Sequence, residues 1–371
     1  MKLVFSPEQD ELRASVRRFL TAKSPTSVVR ALMADPAGYD GAVWKQMASQ
    51  LGLQGIAIPE KFGGSGFSFV ELAVVLEEAG RALLVAPYFS SAVLGAYAIL
   101  DSGDEAAAAE FLPGIADGSR IATLAFTEDS GRWDLEALSA PAVPEGDGWS
   151  ITGAKSYVVD GHLADLLLVA ARTNDGLTLF AVDGTARGVT RTELPALDQT
   201  RKLARVAFDR TPARLVGWVG GAGASLARTL DKAALALAAE QVGGAQRVLD
   251  MAVDYAKVRH QFDRPIGSFQ AIKHNASEML MRVESARSAA YFGAYAVADD
   301  SDEVPAVASL AKAYCSEAFF FAAAENIQIH GGVGFTWEHD AHLYFKRAAS
   351  SQLFLGDAAF HRERLLARIG I

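Results

Sequence analysis

Residues 325–357 read ENIQIHGGVGFTWEHDAHLYFKRAASSQLFLGD and lie in a C-terminal block of long helical sequence patterns. The glycines that follow His330 interrupt one of those patterns. Gln328 contributes an amide, and Gly331 with Gly332 leaves a backbone that a diphosphate group can approach closely. Considered alone, the two glycines are better explained as an ordinary helix stop. The stretch therefore predicts a helical C-terminal domain with a candidate anion site at one helix end.

A second candidate site follows the longest helical pattern, where residues 259–262 read Arg-His-Gln-Phe. The Arg259 guanidinium can form paired hydrogen bonds to a pyrophosphate. Gln261 adds an amide, and the Phe262 ring can pack on a planar heterocycle. By itself, Arg259 is better explained as part of a solvated helix terminus. The two clusters taken together favour a bound cofactor that carries both a diphosphate and a planar ring.

The whole chain divides into three blocks of different periodicity. Residues 1–121 are helical in pattern, and Ser6 before Pro7 predicts the start of the first helix. Residues 122–215 carry short apolar or alternating runs separated by turn residues, which predicts a central β domain. Residues 216–371 return to long helical patterns. This order predicts an α+β fold, because a Rossmann sheet would alternate strands and helices throughout.

Composition and charge exclude several classes of function. Of the 371 residues, 50% are hydrophobic and 21% are charged, which is typical of a folded globular protein. The formal net charge is −9 and the basic residues are scattered, so we expect neither a nucleic-acid surface nor a membrane surface. Cys315 is the only cysteine, which excludes an internal disulfide and a cysteine-cluster metal site. We expect its thiol to be buried and unreactive, and we expect no metal.

The N-terminal sequence predicts a cytoplasmic location. MKLVFSPEQDELRASV turns polar after five residues, which is not the pattern of a signal peptide. The sequence also contains no apolar run long enough to cross a bilayer.

The chain resembles the acyl-CoA dehydrogenase family along nearly its whole length. The resemblance rests, in family order, on GIAIPEKFGGSGFS, LAFTE, ITGAKSYVVDG, QTRKLARVAFD, AAEQVGGAQRVLDMAVDYAKVRHQFDRPIGSFQAIKH, IQIHGGVGFT and the later QLFLG. Each segment alone is a weak signal, but their shared order is specific. The resemblance implies an N-terminal helical domain, a central β-barrel-like domain and a C-terminal four-helix bundle, assembled as a tetramer around bound FAD.

Two groups of residues differ in how well they match this family. Family subunits contribute the first group to the FAD of a neighbouring subunit, and that group is intact in Arg259, Gln261, Phe262, Gln328, Gly331 and Gly332. The second group serves a subunit's own flavin and substrate, and it is altered. Val159 replaces a threonine that hydrogen-bonds the flavin. Residues 132–134 replace a Gly-Ser-Asp turn, and Trp133 adds bulk where the family requires space.

Both family positions for the catalytic base lack a carboxylate. The glutamate that removes the substrate α-proton corresponds to Leu355, and the alternative position on the long helix corresponds to Ala233. An apolar side chain cannot accept a proton, so the resemblance implies no catalytic residue in this chain. Asp357 stands where the family commonly has threonine, and a carboxylate there would face the cofactor phosphates.

This one-sided pattern resembles the non-catalytic subunit of the heterotetrameric α₂β₂ acyl-CoA dehydrogenases of actinobacterial steroid side-chain degradation. That resemblance implies three partners: a homologous catalytic subunit, an acyl-CoA substrate at the joint site, and an electron-transfer flavoprotein. The identity of the acyl group stays open.

Two other functions stay open at this point. A self-sufficient homotetramer would need an unconventional base, for which Asp357, Asp160 and Glu240 are the available carboxylates. A non-enzymatic scaffold or flavin-free regulator of the same fold would need no base, because a fold does not determine a function.

Overall fold

A computed structural model describes residues 5–371. Residues 1–4, which begin the predicted first domain and the segment used for the signal-peptide prediction, lie outside the described residues. The chain forms two compact units. The first contains the described residues up to Ala31, Phe69–Leu84 and Ala234–Ile371, and the second contains Leu32–Ser68 and Val85–Ala233. These units are not continuous in sequence, so the domain boundaries at residues 121 and 215 stay predictions.

Eleven helices are present in the described part of the chain. They are α1 (Pro7–Lys23), α2 (Thr26–Ala34), α3 (Gly41–Leu51), α4 (Phe69–Arg81), α5 (Ala96–Ser102), α6 (Glu105–Ala116), α7 (Ala222–Val258), α8 (Gln270–Ala298), α9 (Val304–His330), α10 (Ala341–Leu353) and α11 (Ala358–Arg368). A π-helical turn at Phe89–Gly95 precedes α5, and a 3₁₀ turn at Gly331–Phe335 follows α9. None of the helices among residues 5–371 is long and apolar enough to cross a membrane.

Local sequence signals set the ends of the first helices. The Ser6 hydroxyl accepts a hydrogen bond from the Gln9 N–H, and the Gln9 side chain accepts one from the Ser6 N–H at 3.0 Å. This reciprocal capping box, with Pro7 at the first helical position, begins α1 where the sequence predicted it. Gly52 ends α3 in the left-handed conformation at φ 61°, which glycine adopts without steric cost.

The second unit is built around a seven-stranded sheet. Its strands are β1 (Ala122–Ala125), β2 (Ala142–Glu145), β3 (Gly148–Val159), β4 (Leu166–Thr173), β5 (Gly176–Asp183), β6 (Val189–Leu194) and β7 (Leu203–Val216). The order is β1-β4-β5-β7-β3-β2, with β6 also paired to β7. Only the β1–β4 pair among these is parallel. The Arg172 N–H donates to the Ala140 carbonyl at 2.8 Å, which links the start of β2 back to β4 and makes the sheet barrel-like.

The first unit packs α4, α7 and α9 closely through glycines. A Cβ atom at Gly243 of α7 would lie 1.7 Å from the Glu77 carbonyl oxygen of α4. A Cβ atom at Gly244 would lie 2.4 Å from the Phe319 ring of α9. Any larger residue at either position would separate the helices, so these glycines explain why the long helices can share one core.

Candidate functional site

The two predicted clusters lie side by side in the first unit. Arg259 follows the last residue of α7, and Gly331 follows the last residue of α9. The rings of Tyr255 and His330 stack with their centroids 4.2 Å apart and their planes inclined by 24°. This stack joins the C-terminal ends of α7 and α9. The structure therefore places side by side the helix ends from which the two predicted segments continue.

A tight hairpin presents Phe262 to solvent. Strands β8 (His260–Gln261) and β9 (Arg264–Pro265) pair, and the two residues between them have positive φ angles, 53° at Phe262 and 63° at Asp263. These angles are those of a two-residue type I′ hairpin turn. A left-handed backbone at a bulky residue costs on the order of 1 kcal/mol. The Phe262 ring is nevertheless 86% exposed, and its ring contact is with Phe269, edge to face at 6.0 Å between centroids. Neither burial nor a favourable backbone conformation explains the choice of residue.

The two glycines differ in why they are glycine. Gly331 ends α9 with φ 64°, so a helix stop explains it completely. Gly332 has no positive φ angle, and a Cβ atom there would meet no atom of residues 5–371 within 4 Å. Neither backbone strain nor packing among those residues requires Gly332 to lack a side chain. Close approach of a ligand to the backbone, which the sequence predicts, would account for a glycine here and stays a prediction.

The donor groups at this end fit an anion with an attached planar ring. Arg259, Gln261 and Gln328 are all exposed, and Gln261 Nε2 donates to the His260 carbonyl at 2.9 Å. One turn before His330, the Asn326 side chain is fully buried, and both its amide nitrogen and its oxygen lack a hydrogen-bond partner among the described residues. A buried amide without a partner costs free energy, and no hydrogen bond among residues 5–371 satisfies this one.

The turn at Leu355 is apolar and firmly held. Leu355 is 5% exposed and has φ 63°. His361 Nε2 donates to the Leu355 carbonyl at 2.9 Å, and Lys312 Nζ donates to the Gly356 carbonyl at 2.9 Å. Burial lowers the pKa of His361 to about 3 and the pKa of Lys312 to about 7. At neutral pH the imidazole is therefore uncharged, and its Nε2–H serves to hold the turn.

The other candidate base positions already have structural roles. Ala233 is completely buried. Glu240 forms a buried ion pair with Arg347 at 2.7 Å between Oε1 and Nη1. Asp160 Oδ2 accepts a hydrogen bond from the Ser90 hydroxyl at 2.6 Å. These contacts stabilise the carboxylates as charged partners within the fold, which opposes their use as proton acceptors.

Asp357 caps a helix. Its Oδ1 accepts a hydrogen bond from the Phe360 N–H at 2.8 Å, at the first turn of α11. From the sequence we expected this carboxylate to face cofactor phosphates, and we did not predict that it is the N-cap of α11.

We expect Asp357→Ala to lower the free energy of unfolding by about 1 kcal/mol, because α11 loses its N-cap. Asp357→Ser should retain most of that stability, because a serine hydroxyl also accepts from the backbone. Chemical denaturation of both variants checks this. A loss of activity in the assembled enzyme with no loss of stability would instead assign Asp357 to catalysis.

The altered flavin positions lie in the second unit. Val159 is buried, and its carbonyl accepts a hydrogen bond from the Thr123 hydroxyl at 2.7 Å. Its side chain can form no hydrogen bond. The Trp133 ring packs against Phe126 with centroids 5.8 Å apart. Residue 133 therefore carries a large ring, and the side chain of residue 159 has no hydrogen-bonding group.

A buried lysine and a carboxylate close the loop that carries Trp133. Glu128 accepts hydrogen bonds from the Ser139 N–H, the Ala140 N–H and Lys155 Nζ, each at 2.8 Å. Lys155 is fully buried. Partial burial alone would raise the pKa of Glu128, but the hydrogen bonds from Lys155, Ala140 and Ser139 lower it to about 2. The loop between residues 128 and 140 is thus tied at both ends.

We expect acid to release this loop below the usual range of glutamate. The pKa of Glu128 is about 2 in the folded chain, compared with 4.5 for an unperturbed glutamate. The stabilisation is therefore complete above pH 4.5 and is lost as the pH falls through about 2. Trp133 fluorescence, obtained by subtracting the emission of the Trp133→Phe variant from that of the wild-type chain, should change over the same pH range. A midpoint near pH 4.5 would contradict the role of the Glu128 hydrogen bonds in holding the loop.

Glu128→Gln should loosen the loop at neutral pH, whereas Glu136→Gln, an exposed position in the same loop, should not.

The sequence analysis did not identify three of these residues, which are Tyr255, Glu128 and Lys155. Tyr255 lies one helical turn before Arg259, and that spacing could have indicated that it belongs to the same site. Glu128 and Lys155 had no such signal, because 27 residues separate them in the chain. Cys315 is buried, as predicted, and burial raises the pKa of its thiol to about 12.

Known proteins similar to this chain agree with the fold. Models of the acyl-CoA dehydrogenase N-terminal, middle and C-terminal domains match residues 6–119, 123–211 and 221–370. Acyl-CoA dehydrogenase IpdE2 of Mycolicibacterium smegmatis is 37% identical over 366 residues, which covers 98% of this chain and 99% of the relative.

Two solved structures are also similar. The Tcur3481-Tcur3483 steroid ACAD has a TM-score of 0.89 and 32% identity, with 98% of each chain covered. The ChsE4-ChsE5 complex from Mycobacterium tuberculosis has a TM-score of 0.91 and 28% identity, covering 100% of this chain and 99% of that chain. These findings confirm the predicted order of helical, β and helical domains. The chain therefore belongs to the acyl-CoA dehydrogenase family, whose members are FAD-dependent oxidoreductases that act on CH–CH donors.

Proposed function

We propose that this chain is the non-catalytic subunit of a heteromeric acyl-CoA dehydrogenase. It contributes FAD-binding residues to a homologous catalytic subunit and does not itself remove a substrate proton. One contrast carries the proposal. The six residues for a neighbour's FAD are exposed in the segments at the C-terminal ends of α7 and α9, which the Tyr255–His330 stack joins, whereas Leu355 and Ala233 are buried and apolar.

The residues of this chain would bind and orient the cofactor. Arg259 supplies charge and paired hydrogen bonds to a diphosphate, and Gln261 and Gln328 supply amides. Gly331 and Gly332 admit the diphosphate to the backbone, and the exposed Phe262 ring covers a planar group. When bound, FAD would supply the oxidant for the dehydrogenation, in which the β-hydrogen of the acyl-CoA leaves with its electron pair as hydride. The catalytic subunit supplies the carboxylate that takes the α-proton, and an electron-transfer flavoprotein reoxidises the complex.

The substrate is an acyl-CoA, and we propose a steroid side-chain thioester. The support is the description of one similar structure as a steroid ACAD. The heteromeric assembly is supported by a second similar structure, which is a complex of ChsE4 and ChsE5.

Co-expression tests the proposed function. The chain is produced alone and together with a homologue that carries glutamate at one of the two base positions. We expect flavin colour, a stable complex and acyl-CoA dehydrogenation only in the co-expressed sample. A yellow, active homotetramer from the chain alone would show that it is self-sufficient. A colourless, stable protein in both samples would favour a scaffold.

One observation favours the self-sufficient enzyme as a second candidate. The Thr127 hydroxyl is buried and has no hydrogen-bond partner among the described residues. It lies in the LAFTE segment that carries the family resemblance, so a flavin bound by this chain could satisfy it. The flavin content of the chain produced alone distinguishes the two candidates.

A further inference from the structure

The two most exposed aromatic side chains of the described residues occur at the same end of the first unit. Phe262 is 86% exposed and Phe335 is 80% exposed. Each follows one of the two helices that the Tyr255–His330 stack joins, Phe262 after α7 and Phe335 after α9. Large apolar side chains are normally buried, because exposure forfeits the favourable transfer of the ring out of water. Two such rings at one helix-bundle end indicate a ligand or partner.

A rigid turn exposes Phe335. It ends the 3₁₀ turn Gly331–Phe335, and the Thr336 N–H and hydroxyl both donate to the Val333 carbonyl, the hydroxyl at 2.8 Å. Gly334 is buried against α9, and a Cβ atom there would lie 2.8 Å from the Cβ of His330. The turn is therefore folded back on the helix that precedes it. The fold itself holds the ring in solvent, as the Phe262 hairpin does.

The spacing in both segments is the same. Phe262 stands three residues after Arg259, and Phe335 stands three residues after Gly332. Each segment thus carries an aromatic residue three positions after a residue that suits a diphosphate. FAD has that composition, because its diphosphate carries a planar ring system on either side. The flavin ring must lie against the base and the substrate, both of which belong to the catalytic subunit. The adenine ring remains for this chain.

We propose that Phe335 is a further cofactor-binding residue, and that with Phe262 it encloses the adenine ring of the FAD bound by the catalytic subunit. This inference rests on the proposed function. We do not include Trp337, which is 57% exposed. Its ring is stacked with His342 at 4.9 Å and has the Lys346 ammonium 4.8 Å from its centroid, whereas Phe262 meets Phe269 edge to face at 6.0 Å.

FAD titration of the co-expressed complex tests the inference. Aromatic stacking is worth enough that Phe335→Ala should weaken FAD binding by about three- to tenfold. Phe335→Tyr should restore it. Phe67→Ala removes a ring of the same type that is 58% exposed in the second unit, and it should change nothing. Thermal melting shows whether each variant is folded.

Three further readouts separate the outcomes. Phe335→Trp should leave the absorption and fluorescence of the bound flavin unchanged, because the residue faces adenine; a quenched or red-shifted flavin would overturn that assignment. Weaker subunit association at unchanged FAD affinity would show that Phe335 contacts the partner protein, which also overturns the inference. Unchanged FAD binding in Phe335→Ala, with Arg259→Ala weakened, would reject Phe335 and leave the proposed function standing. Unchanged binding in both variants would reject both proposals.

Discussion

Purified without a catalytic homologue, the chain should dehydrogenate acyl-CoA at least 100-fold more slowly than the assembled complex. A positioned general base contributes roughly 10²- to 10⁴-fold in rate, and the two family positions for it hold Leu355 and Ala233. Both residues are buried and apolar. Reduction of an artificial electron acceptor with a panel of acyl-CoA substrates measures the rate. Turnover by the isolated chain equal to that of the complex would contradict the non-catalytic role.

Leu355→Glu alone should not create activity. The turn that carries residue 355 is held through backbone carbonyls by His361 and Lys312, so a glutamate would start from the same backbone position. The positions for flavin remain altered at Trp133 and Val159, and we expect no flavin for the new base to serve. The matched control replaces the base of the catalytic subunit in the complex, which should abolish activity. An active Leu355→Glu chain would show that the flavin positions are functional.

Arg259→Ala should weaken FAD binding by the assembled complex by about ten- to a hundredfold. The lost charge-assisted contact to a diphosphate is worth on the order of 1.5 to 3 kcal/mol. The fold should be unaffected, because the side chain is exposed at the end of α7. In the chain alone the substitution should change nothing, because the site that Arg259 serves belongs to the other subunit. Flavin absorbance per protein, measured across a dilution series, gives the occupancy.

Two comparisons make this measurement decisive. Arg362→Ala removes another exposed arginine, which pairs with Glu317 at 2.6 Å on the same unit, and it should leave FAD occupancy unchanged. The wild-type complex should bind one FAD per heterodimer. A value near two would mean that this chain also binds its own flavin. Full occupancy of Arg259→Ala at sub-micromolar concentration would remove Arg259 from the site.

Short-range sequence signals were sufficient to predict the helices, the strands and the class of the fold. The capping box at Ser6 and the left-handed Gly52 are short-range features, so a few adjacent residues decide where α1 begins and α3 ends. The change from helical to alternating periodicity likewise marked the β region, where the structure has β1 to β7. The prediction of six FAD-binding residues and of two positions without a base likewise needed only the residue type at each position.

Contacts between residues far apart in the chain could not be predicted from the sequence and depend on how the elements pack. Glu240 and Arg347 are 107 positions apart, and Glu128 and Lys155 are 27 apart. The sequence around each of these residues does not predict which partner it pairs with. A buried charge is stable only with a partner, and the fold chooses that partner by bringing together elements that the sequence separates. For the same reason, the stack of Tyr255 on His330, which joins the two cofactor-binding segments, became visible only when α7 and α9 were packed side by side.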